Sequence, residues 1–103
     1  MESNKWHSLC LAEQMANIGS EVARMIKLRG MGEKEAMEKS LARALELIDL
    51  TLSDSRWRGR LQEIARMREV LIDFCFEQGV FTVSAAMLKN YFLPFALLSR
   101  ANA

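Results

Sequence analysis

Apolar side chains recur at alternating spacings of three and four along four stretches of this 103-residue chain. That spacing places them on one face of an α-helix. The pattern predicts helices over residues 8–28, 33–52, 56–78 and 83–100, and the run over 60–76 is the most strongly amphipathic. Four such helices with short connections predict an all-α fold, an antiparallel up-down-up-down four-helix bundle, formed by a single domain over residues 1–103.

The residues between these stretches predict where helices begin and end. Residues 1–7 are predicted to be a loose lead-in anchored only by Trp6. Pro94 predicts a kink or a break in the fourth helix, because proline removes a hydrogen-bond donor and clashes one turn back. The predicted N-caps are Ser8, Ser53 or Asp54, and Thr82 or Ser84, and the predicted C-terminal glycines are Gly30, Gly32 and Gly79.

The first helix carries two stripes. One is an apolar seam that faces the core, and the other is a stripe of small residues beside it. Gly19 in the small-residue stripe costs about 1 kcal/mol relative to Ala in a helix interior, so it predicts close approach of another helix, from the same bundle or from a second subunit. The seam is Leu11, Met15, Ile18, Val22 and Met25, and the small-residue stripe is Ala12, Ala16, Gly19 and Ala23.

The other three helices each have one main apolar face. Leu47 and Leu50 fall outside that face in the second helix, which predicts either an exposed contact surface or burial on more than one side. The predicted faces are Met37, Leu41, Ala44, Leu45, Ile48 and Leu52; then Ile64, Met67, Leu71 and Phe74, flanked by Trp57, Leu61 and Cys75; then Met87, Leu88, Tyr91, Phe92, Phe95 and Leu98. The predicted solvated face of the third helix is Gln62, Glu63, Arg66, Glu69, Asp73 and Glu77.

The charge balance excludes some partners. Fourteen basic and thirteen acidic residues give a net charge of +1, so no long-range field recruits nucleic acid or an anionic membrane. No apolar run reaches the roughly 20 residues that span a bilayer, and the first residues lack the order of a signal peptide. We therefore expect a soluble cytoplasmic protein with no membrane partner, and nucleic acid is disfavoured as a partner.

Candidate chemistry is sparse. Helical levels place Cys10 and Cys75 at opposite ends of the bundle, too far apart for a disulfide, and free thiols are expected. His7, the one histidine, completes neither a zinc site nor a catalytic triad. The carboxylate pairs Glu35/Glu38 and Glu46/Asp49 lie along one helix, too far apart to share a metal. The sequence predicts no catalytic, cofactor-binding or metal-binding residue and no cofactor.

Arginines at the edge of the third helix are the polar feature with the clearest prediction. Arg58 and Arg66 are predicted to lie on the surface, whereas Arg60 and Arg68 lie beside the apolar face. Counting levels at about 1.5 Å per residue brings together Glu13, Asp49, Arg60 and Arg100 at one end. The residues predicted near the middle are Glu21 or Ser20, Arg43, Arg68 or Glu69, and Asn90 or Tyr91. Arg60 is therefore expected to pair with Asp49 or Glu13, either as a structural ion pair or in a polar pocket.

Three segments resemble parts of small uncharacterised prokaryotic helical-bundle proteins: residues 13–22 (EQMANIGSEV), 43–51 (RALELIDLT) and 56–61 (RWRGRL). This resemblance implies the fold and no particular activity. The size and helix pattern are also similar to HEPN-type domains, whose ribonucleases use an Arg-x(4–6)-His motif. No histidine follows an arginine in this chain, so that activity does not carry over.

The sequence therefore predicts a non-enzymatic interaction module that forms a homodimer or binds another helical protein. Its candidate contact surfaces are the small-residue stripe, Leu47 with Leu50, and the apolar fourth helix. Two alternatives stay open. One is a nucleotide- or small-molecule-binding protein with a polar pocket around Glu13, Asp49 and Arg60, and the other is an RNA-binding accessory protein.

Overall fold

The computed structural model describes residues 3–76 and 84–101, and the side chains of residues 5–56, 59–76 and 84–100. Every regular element in these ranges is helical, which confirms the all-α class. The α-helices are α1 (Ser3–His7), α2 (Leu11–Gly30), α3 (Lys34–Leu52), α4 (Leu61–Phe76) and α5 (Ala85–Ala101), and a 3₁₀ segment (Ser55–Arg60) joins α3 to α4. The predicted Gly79 helix end and Thr82 cap, the Glu77 position and the side chains of Trp57 and Arg58 lie outside the described parts.

The N-terminal lead-in is helical, so the prediction of a loose segment is wrong. Trp6 on α1 is fully buried, as expected, and its indole Nε1 donates to Thr51 Oγ1 at 2.9 Å. Ser8 is not the cap of α2, because its hydroxyl donates back to the Lys5 carbonyl at 2.6 Å. Cys10 occupies the N-cap position instead. A helix this short is not stable alone. The buried Trp6 therefore stabilises the segment through its tertiary contact.

The start of the predicted third helix is a 3₁₀ segment. Asp54 is its N-cap, as predicted, and the carboxylate accepts from the Arg56 amide. The tighter 3₁₀ turn runs to Arg60, and α-helical geometry begins only at Leu61. This shift of five residues changes which arginines reach α3.

The fourth predicted helix is continuous through Pro94, so the predicted break is absent. Ser84 is confirmed as its cap, because Ser84 Oγ accepts from the Met87 amide at 3.2 Å. Pro94 is exposed. A proline on the outer side of a helix places the lost hydrogen bond toward solvent, where water satisfies the Asn90 carbonyl.

The core matches the predicted faces closely. The whole apolar seam of α2 is buried, together with the central residues of α3, α4 and α5. Leu47 and Leu50 are half-buried against this core, so the exposed contact surface predicted for them is wrong and the alternative, burial on more than one side, is confirmed. Asp73 is buried rather than solvated, because a tertiary neighbour and not helix periodicity decides its exposure.

Helix α2 is central in the packing. It packs against α3 on one side and α5 on the other, and α3 packs against α4 and α1. At the contact with α5, a Cβ built on Gly19 would lie 3.0 Å from Phe92 Cβ and 3.1 Å from Phe92 Cγ. The close approach predicted from Gly19 is confirmed, and the neighbour is a helix of the same chain.

Candidate functional site: the groove between α2 and α5

The three residues of the predicted polar pocket have different partners. Glu13 accepts a hydrogen bond from the Cys10 thiol at 3.1 Å. Asp49 pairs with Arg68, whose Nε donates at 2.9 Å, and Arg60 pairs with Glu63 at 3.2 Å. The prediction that Arg60 pairs with Asp49 or Glu13 is therefore wrong.

The 3₁₀ segment explains this exchange of arginines. Residues 55–60 form the 3₁₀ segment, so α4 starts only at Leu61 and Arg60 belongs to the connection. Arg68, two turns into α4, reaches Asp49 near the end of α3. Arg68 is partly buried and Arg66 is exposed, as predicted. Arg43 and Glu21 share a level as predicted, since Arg43 Nε donates to Glu21 at 3.2 Å. The prediction of Arg68 at that level is wrong, because Arg68 pairs with Asp49.

Arg60 belongs to a cluster that joins α4 to α5. The Tyr91 hydroxyl donates to Glu63 Oε1 at 2.6 Å, and the Arg60 guanidinium lies 5.7 Å from the Phe95 ring centroid. The Tyr91 hydrogen bond, with help from Arg60, lowers the pKa of Glu63. Burial and the adjacent carboxylate raise the pKa of Tyr91 well above its ordinary value. Tyr91 is thus a protonated donor that holds Glu63 ionised, which is a structural bridge.

A second polar cluster fastens α1 to the end of α3. Asp54 is buried, and hydrogen bonds from Arg56 lower its pKa well below the ordinary range. Arg56 Nη2 also donates to the carbonyls of His7 and Leu9, at 2.6 and 3.0 Å. Gln14, fully buried, donates to the Trp6 carbonyl at 3.0 Å. The Arg56 donors that could contact RNA phosphates are directed at the protein's own backbone.

His7 is positioned as a structural donor. Its Nε2 lies 3.0 Å from the Leu50 carbonyl and 3.2 Å from Ser53 Oγ. A carbonyl oxygen only accepts, so Nε2 carries the proton. The Ser53 hydroxyl itself donates to Leu50 O at 2.7 Å. A protonated Nε2 cannot take the serine proton, and this pair is not a catalytic dyad.

The acidic pairs on α3 behave as a solvated face. Glu35 pairs with Lys39 at 3.7 Å, with both side chains exposed, and Asp49 is engaged by Arg68. Over residues 3–76 and 84–101, no three His, Cys, Asp or Glu side chains are grouped to hold a metal ion. Cys75 is buried, Cys10 is half-buried, and both thiols are free.

The concave surface with the strongest apolar character is a groove along the contact between α2 and α5. It has a volume of about 210 Å³. Small residues form much of its lining. One of them, Gly19, lets the two helices approach closely. The groove residues are Ala16, Gly19, Ser20, Val22, Ala23 and Ile26 from α2, and Leu88, Lys89, Phe92, Leu93 and Ala96 from α5.

Large apolar side chains are exposed on α5. By helical spacing Leu93 and Leu97 lie beside the groove, whereas Met87 and Leu98 lie on another side of the helix. The prediction that Met87 and Leu98 belong to the buried apolar face is wrong, because both are more than half exposed. Leu93, Leu97 and Leu98 are each 53% exposed, and Met87 is 55% exposed. Leu93 also lines the groove. A helix that is apolar on its outer side as well as its inner side is typical of a helix buried on both sides. We call the groove together with Leu93 and Leu97 the α2/α5 surface.

The charged residues around the α2/α5 surface are mainly basic, and Glu13, one turn before Ala16 on α2, is the acidic exception. Lys89 lines the groove, Lys27 follows Ala23 by one turn, and Arg100 follows Ala96 by one turn. Helix α5 contains no Asp or Glu. Within the described ranges these three cations have no ion-pair partner, whereas six other cations pair with carboxylates.

Sequence reasoning found part of this site. The Ala16, Gly19 and Ala23 stripe and the apolar character of the fourth helix were both visible as periodic patterns. The cationic border was not, because Lys27, Lys89 and Arg100 lie on different helices. A search for cations lacking a carboxylate three or four residues away returns Lys27, Lys89 and Arg100. It also returns Arg56 and Arg68, which pair with carboxylates at other sequence separations, so it does not isolate the border.

No match was found to known protein families, to curated proteins or to solved structures. The resemblance to HEPN-type domains and to small prokaryotic helical bundles stays a prediction. No helix over the described residues combines the length and apolar character that crossing a membrane requires.

Proposed function

We propose that this chain is a non-catalytic interaction module, an antiparallel up-down-up-down four-helix bundle that binds another helical surface through the α2/α5 surface. The observation that carries the proposal is the apolar groove of about 210 Å³ with half-exposed leucines directly beside it. Monomeric proteins rarely leave large contiguous apolar patches uncovered, and such patches mark interaction sites.

The neighbour relations among the helices support the bundle arrangement. Helix α2 packs on α3 and α5, and α3 packs on α4. The Tyr91–Glu63 hydrogen bond connects α4 to α5. These four contacts link the four longer helices in the cyclic order expected for an up-down-up-down bundle.

The size of the patch fits a weak affinity. Burying a Leu side chain completely contributes about 1.5–3 kcal/mol. Leu93 and Leu97 are each about half exposed, so covering both contributes on the order of 1.5–3 kcal/mol by that scale. Association itself costs at least about 4 kcal/mol. The groove must therefore be filled as well, and we expect weak binding.

The sequence-based predictions of the partner are a second copy or another helical protein. The first is measured by sedimentation velocity between about 1 and 500 µM, a range that brackets micromolar Kd values. The second is measured by fluorescence anisotropy with labelled amphipathic helical peptides that carry leucines at helical spacing. Saturable self-association or peptide binding supports the proposal. Absence of both over this range contradicts it.

Matched variants locate the binding surface. The double variant Leu93→Glu/Leu97→Glu is expected to abolish the interaction because it places two charges on the apolar patch. Met31→Glu is the control, since Met31 is 61% exposed on the turn between α2 and α3 and lies outside the groove. Equal loss of binding in both variants would show that the α2/α5 surface is not the site.

The alternative functions have weaker support. The nucleotide-binding alternative requires Glu13, Asp49 and Arg60 to converge, and each has a separate partner. The RNA-binding alternative rests on local contact by Arg56, Arg58 and Arg60. Arg56 and Arg60 donate to Asp54 and Glu63 instead, and the Arg58 side chain lies outside the described residues. Both observations favour the interaction module.

A further inference from the structure

We infer that the partner of the α2/α5 surface is an amphipathic helix of another protein, with leucine-type side chains on one face and acidic residues flanking them. This inference rests on the proposed function and specifies its ligand. Three properties of the surface carry it: the depth of the groove, the spacing of its exposed leucines, and the sign of the charges around it.

The shape of the groove suits a helix. A volume of about 210 Å³ accommodates one or two aliphatic side chains, given that a cavity of about 150 Å³ binds a benzene molecule. The groove follows the line between two packed helices, with Ala16, Gly19 and Ala23 from α2 facing Leu93 and Ala96 from α5. Side chains at positions i, i+3 or i+4, and i+7 of a docked helix would lie along such a line.

The charge distribution selects an acidic partner. Lys27, Lys89 and Arg100 are exposed, and no described carboxylate pairs with them. Several other cations of the surface are paired: for example, Arg24 and Arg43 share Glu21, and Arg68 pairs with Asp49. Cations without partners around an apolar groove complement acidic residues on the rim of a bound helix.

The same charges argue against a second copy. A symmetric partner would bring its own Lys27, Lys89 and Arg100 to the interface, and its α5 would bring no carboxylate. Of the two nearest acidic side chains on α2, Glu21 is already engaged by two arginines. Among the described residues Glu13 accepts only from the neutral thiol and amide of Cys10, so each copy would bring one available carboxylate against three cations. Like charges juxtaposed across an interface suppress the wrong partner.

An anionic membrane surface shares the acidic chemistry but lacks the shape. Interfacial binding buries a protruding apolar face in the acyl boundary, and it would leave the concave floor at Gly19 and Ala96 unfilled. A helix can place side chains into that floor. We therefore assign the surface to a helix, and vesicles become one arm of the test.

The experiment uses the full chain and three synthetic peptides of about 18 residues, long enough to form helix on binding. Two have the same leucine face, one with glutamates and one with lysines on its flanks. The third is the acidic peptide with its order scrambled. We expect the acidic peptide to bind at least about tenfold more tightly than the basic one, and the Gly19 amide resonance to shift on binding. Raising NaCl from about 50 to 500 mM should weaken that binding.

Charge-reversal variants separate electrostatic selection from folding defects. Lys27→Glu/Lys89→Glu should reverse the order of the two amphipathic peptides. Lys34→Glu, which changes an exposed lysine on α3 outside the groove, should keep it. Because the substituted positions are exposed, we expect each variant to keep its fold. Urea unfolding of each variant verifies this.

Several outcomes would overturn the inference while leaving the proposed function standing. The first is that the basic peptide binds as tightly as the acidic peptide, or more tightly. The second is that the protein self-associates more tightly than it binds the acidic peptide, and that Leu93→Glu/Leu97→Glu abolishes this self-association. The third is that the scrambled peptide binds as tightly as the acidic peptide. Binding to vesicles of phosphatidylserine with phosphatidylcholine, without binding of the acidic peptide, would also overturn it. Failure of every peptide together with absence of self-association contradicts the proposed function itself.

Discussion

At the residue scale, the packing of α2 on α5 explains why position 19 is a glycine. The atom that a new Cβ would approach, at 3.0 Å, is Phe92 Cβ. That atom is fixed to the backbone of α5 and cannot rotate away. Any side chain at position 19 therefore has to move a helix.

Replacing Gly19 by Leu is expected to lower the free energy of unfolding by about 1–3 kcal/mol, despite a gain in helix propensity of about 1 kcal/mol. Urea unfolding followed by circular dichroism measures the change. Gly30→Ala is the control, because a Cβ at Gly30 meets no atom within 4 Å. Equal stability of the Gly19→Leu variant and the wild type would show that α5 adapts freely.

Asp54 gives the protein a specific acid sensitivity. Hydrogen bonds from Arg56 hold the pKa of this buried carboxyl far below its ordinary value of 3.8. A depressed folded-state pKa contributes stability that is complete above the unfolded value and is lost as the pH falls through the folded value. Stability should therefore fall from about pH 4 downward.

Asp54→Asn should cost about 1.5–3 kcal/mol at pH 7, where a hydrogen bond to a charged group is lost, and progressively less between pH 4 and pH 2. The free energy of unfolding in urea at pH 7, 4 and 2 provides the comparison. Glu35→Gln serves as the control, because the Glu35 side chain is 88% exposed. A pH profile of Asp54→Asn parallel to that of the wild type would contradict this account.

At the scale of elements, α1 depends on one side chain. Five residues are too few to form a stable helix alone, and Trp6 provides the tertiary contact that holds α1 on α3. Its burial is complete, and its N–H reaches Thr51 on α3. The helix and its attachment are thus one cooperative unit.

Trp6→Ala is expected to destabilise the protein by about 3–5 kcal/mol, whereas Trp6→Phe should cost less because it keeps an apolar ring and loses the hydrogen bond. A double-mutant cycle with Thr51→Val isolates that bond and should give a coupling of about 0.5–1.5 kcal/mol. Additive single effects in urea unfolding would mean that the bond contributes nothing.

Helix α5 tolerates Pro94 because its position is exposed. Proline nevertheless lacks the donor that would reach the Asn90 carbonyl. Pro94→Ala should therefore stabilise the protein, by about 1–3 kcal/mol given a propensity difference of about 3 kcal/mol. Thermal unfolding measures the gain. A lower melting temperature for Pro94→Ala than for the wild type would contradict this expectation.

At the scale of the whole molecule, Cys75 reports on global opening. It is buried in the core, and burial raises the pKa of its thiol to about 11. The nucleophilic thiolate is therefore scarce in the folded state.

Iodoacetamide should modify half-buried Cys10 first, and it should modify Cys75 at a rate that rises with urea in parallel with unfolding. Mass spectrometry of Cys10→Ser against Cys75→Ala distinguishes the two sites. Rapid native modification of Cys75 would contradict its burial.

How well the sequence predicted each feature depended on how far apart in the sequence the interacting residues lie. The α2 seam, the α3 face, the Ser84 and Asp54 caps and the close approach at Gly19 depend on residues three or four positions apart, and they were predicted correctly. The pairing of Arg60 was not, because it depended on a level count that the 3₁₀ segment shifted. Leu47 and Leu50 are half-buried, which is one of the two alternatives that periodicity left open. Asp73, predicted to be solvated, is buried.

The sequence by itself determined that the chain is helical, because apolar spacing and capping act within one or two turns. It also determined that α2 presents a surface fit for a close neighbour, because Gly19 leaves space for one. Only the tertiary structure decided that this neighbour is α5 and that Arg68 pairs with Asp49. It also placed Lys27, Lys89 and Arg100 around one groove. The physical reason is that side chains from separate helices meet only when packing fixes the relative positions of those helices.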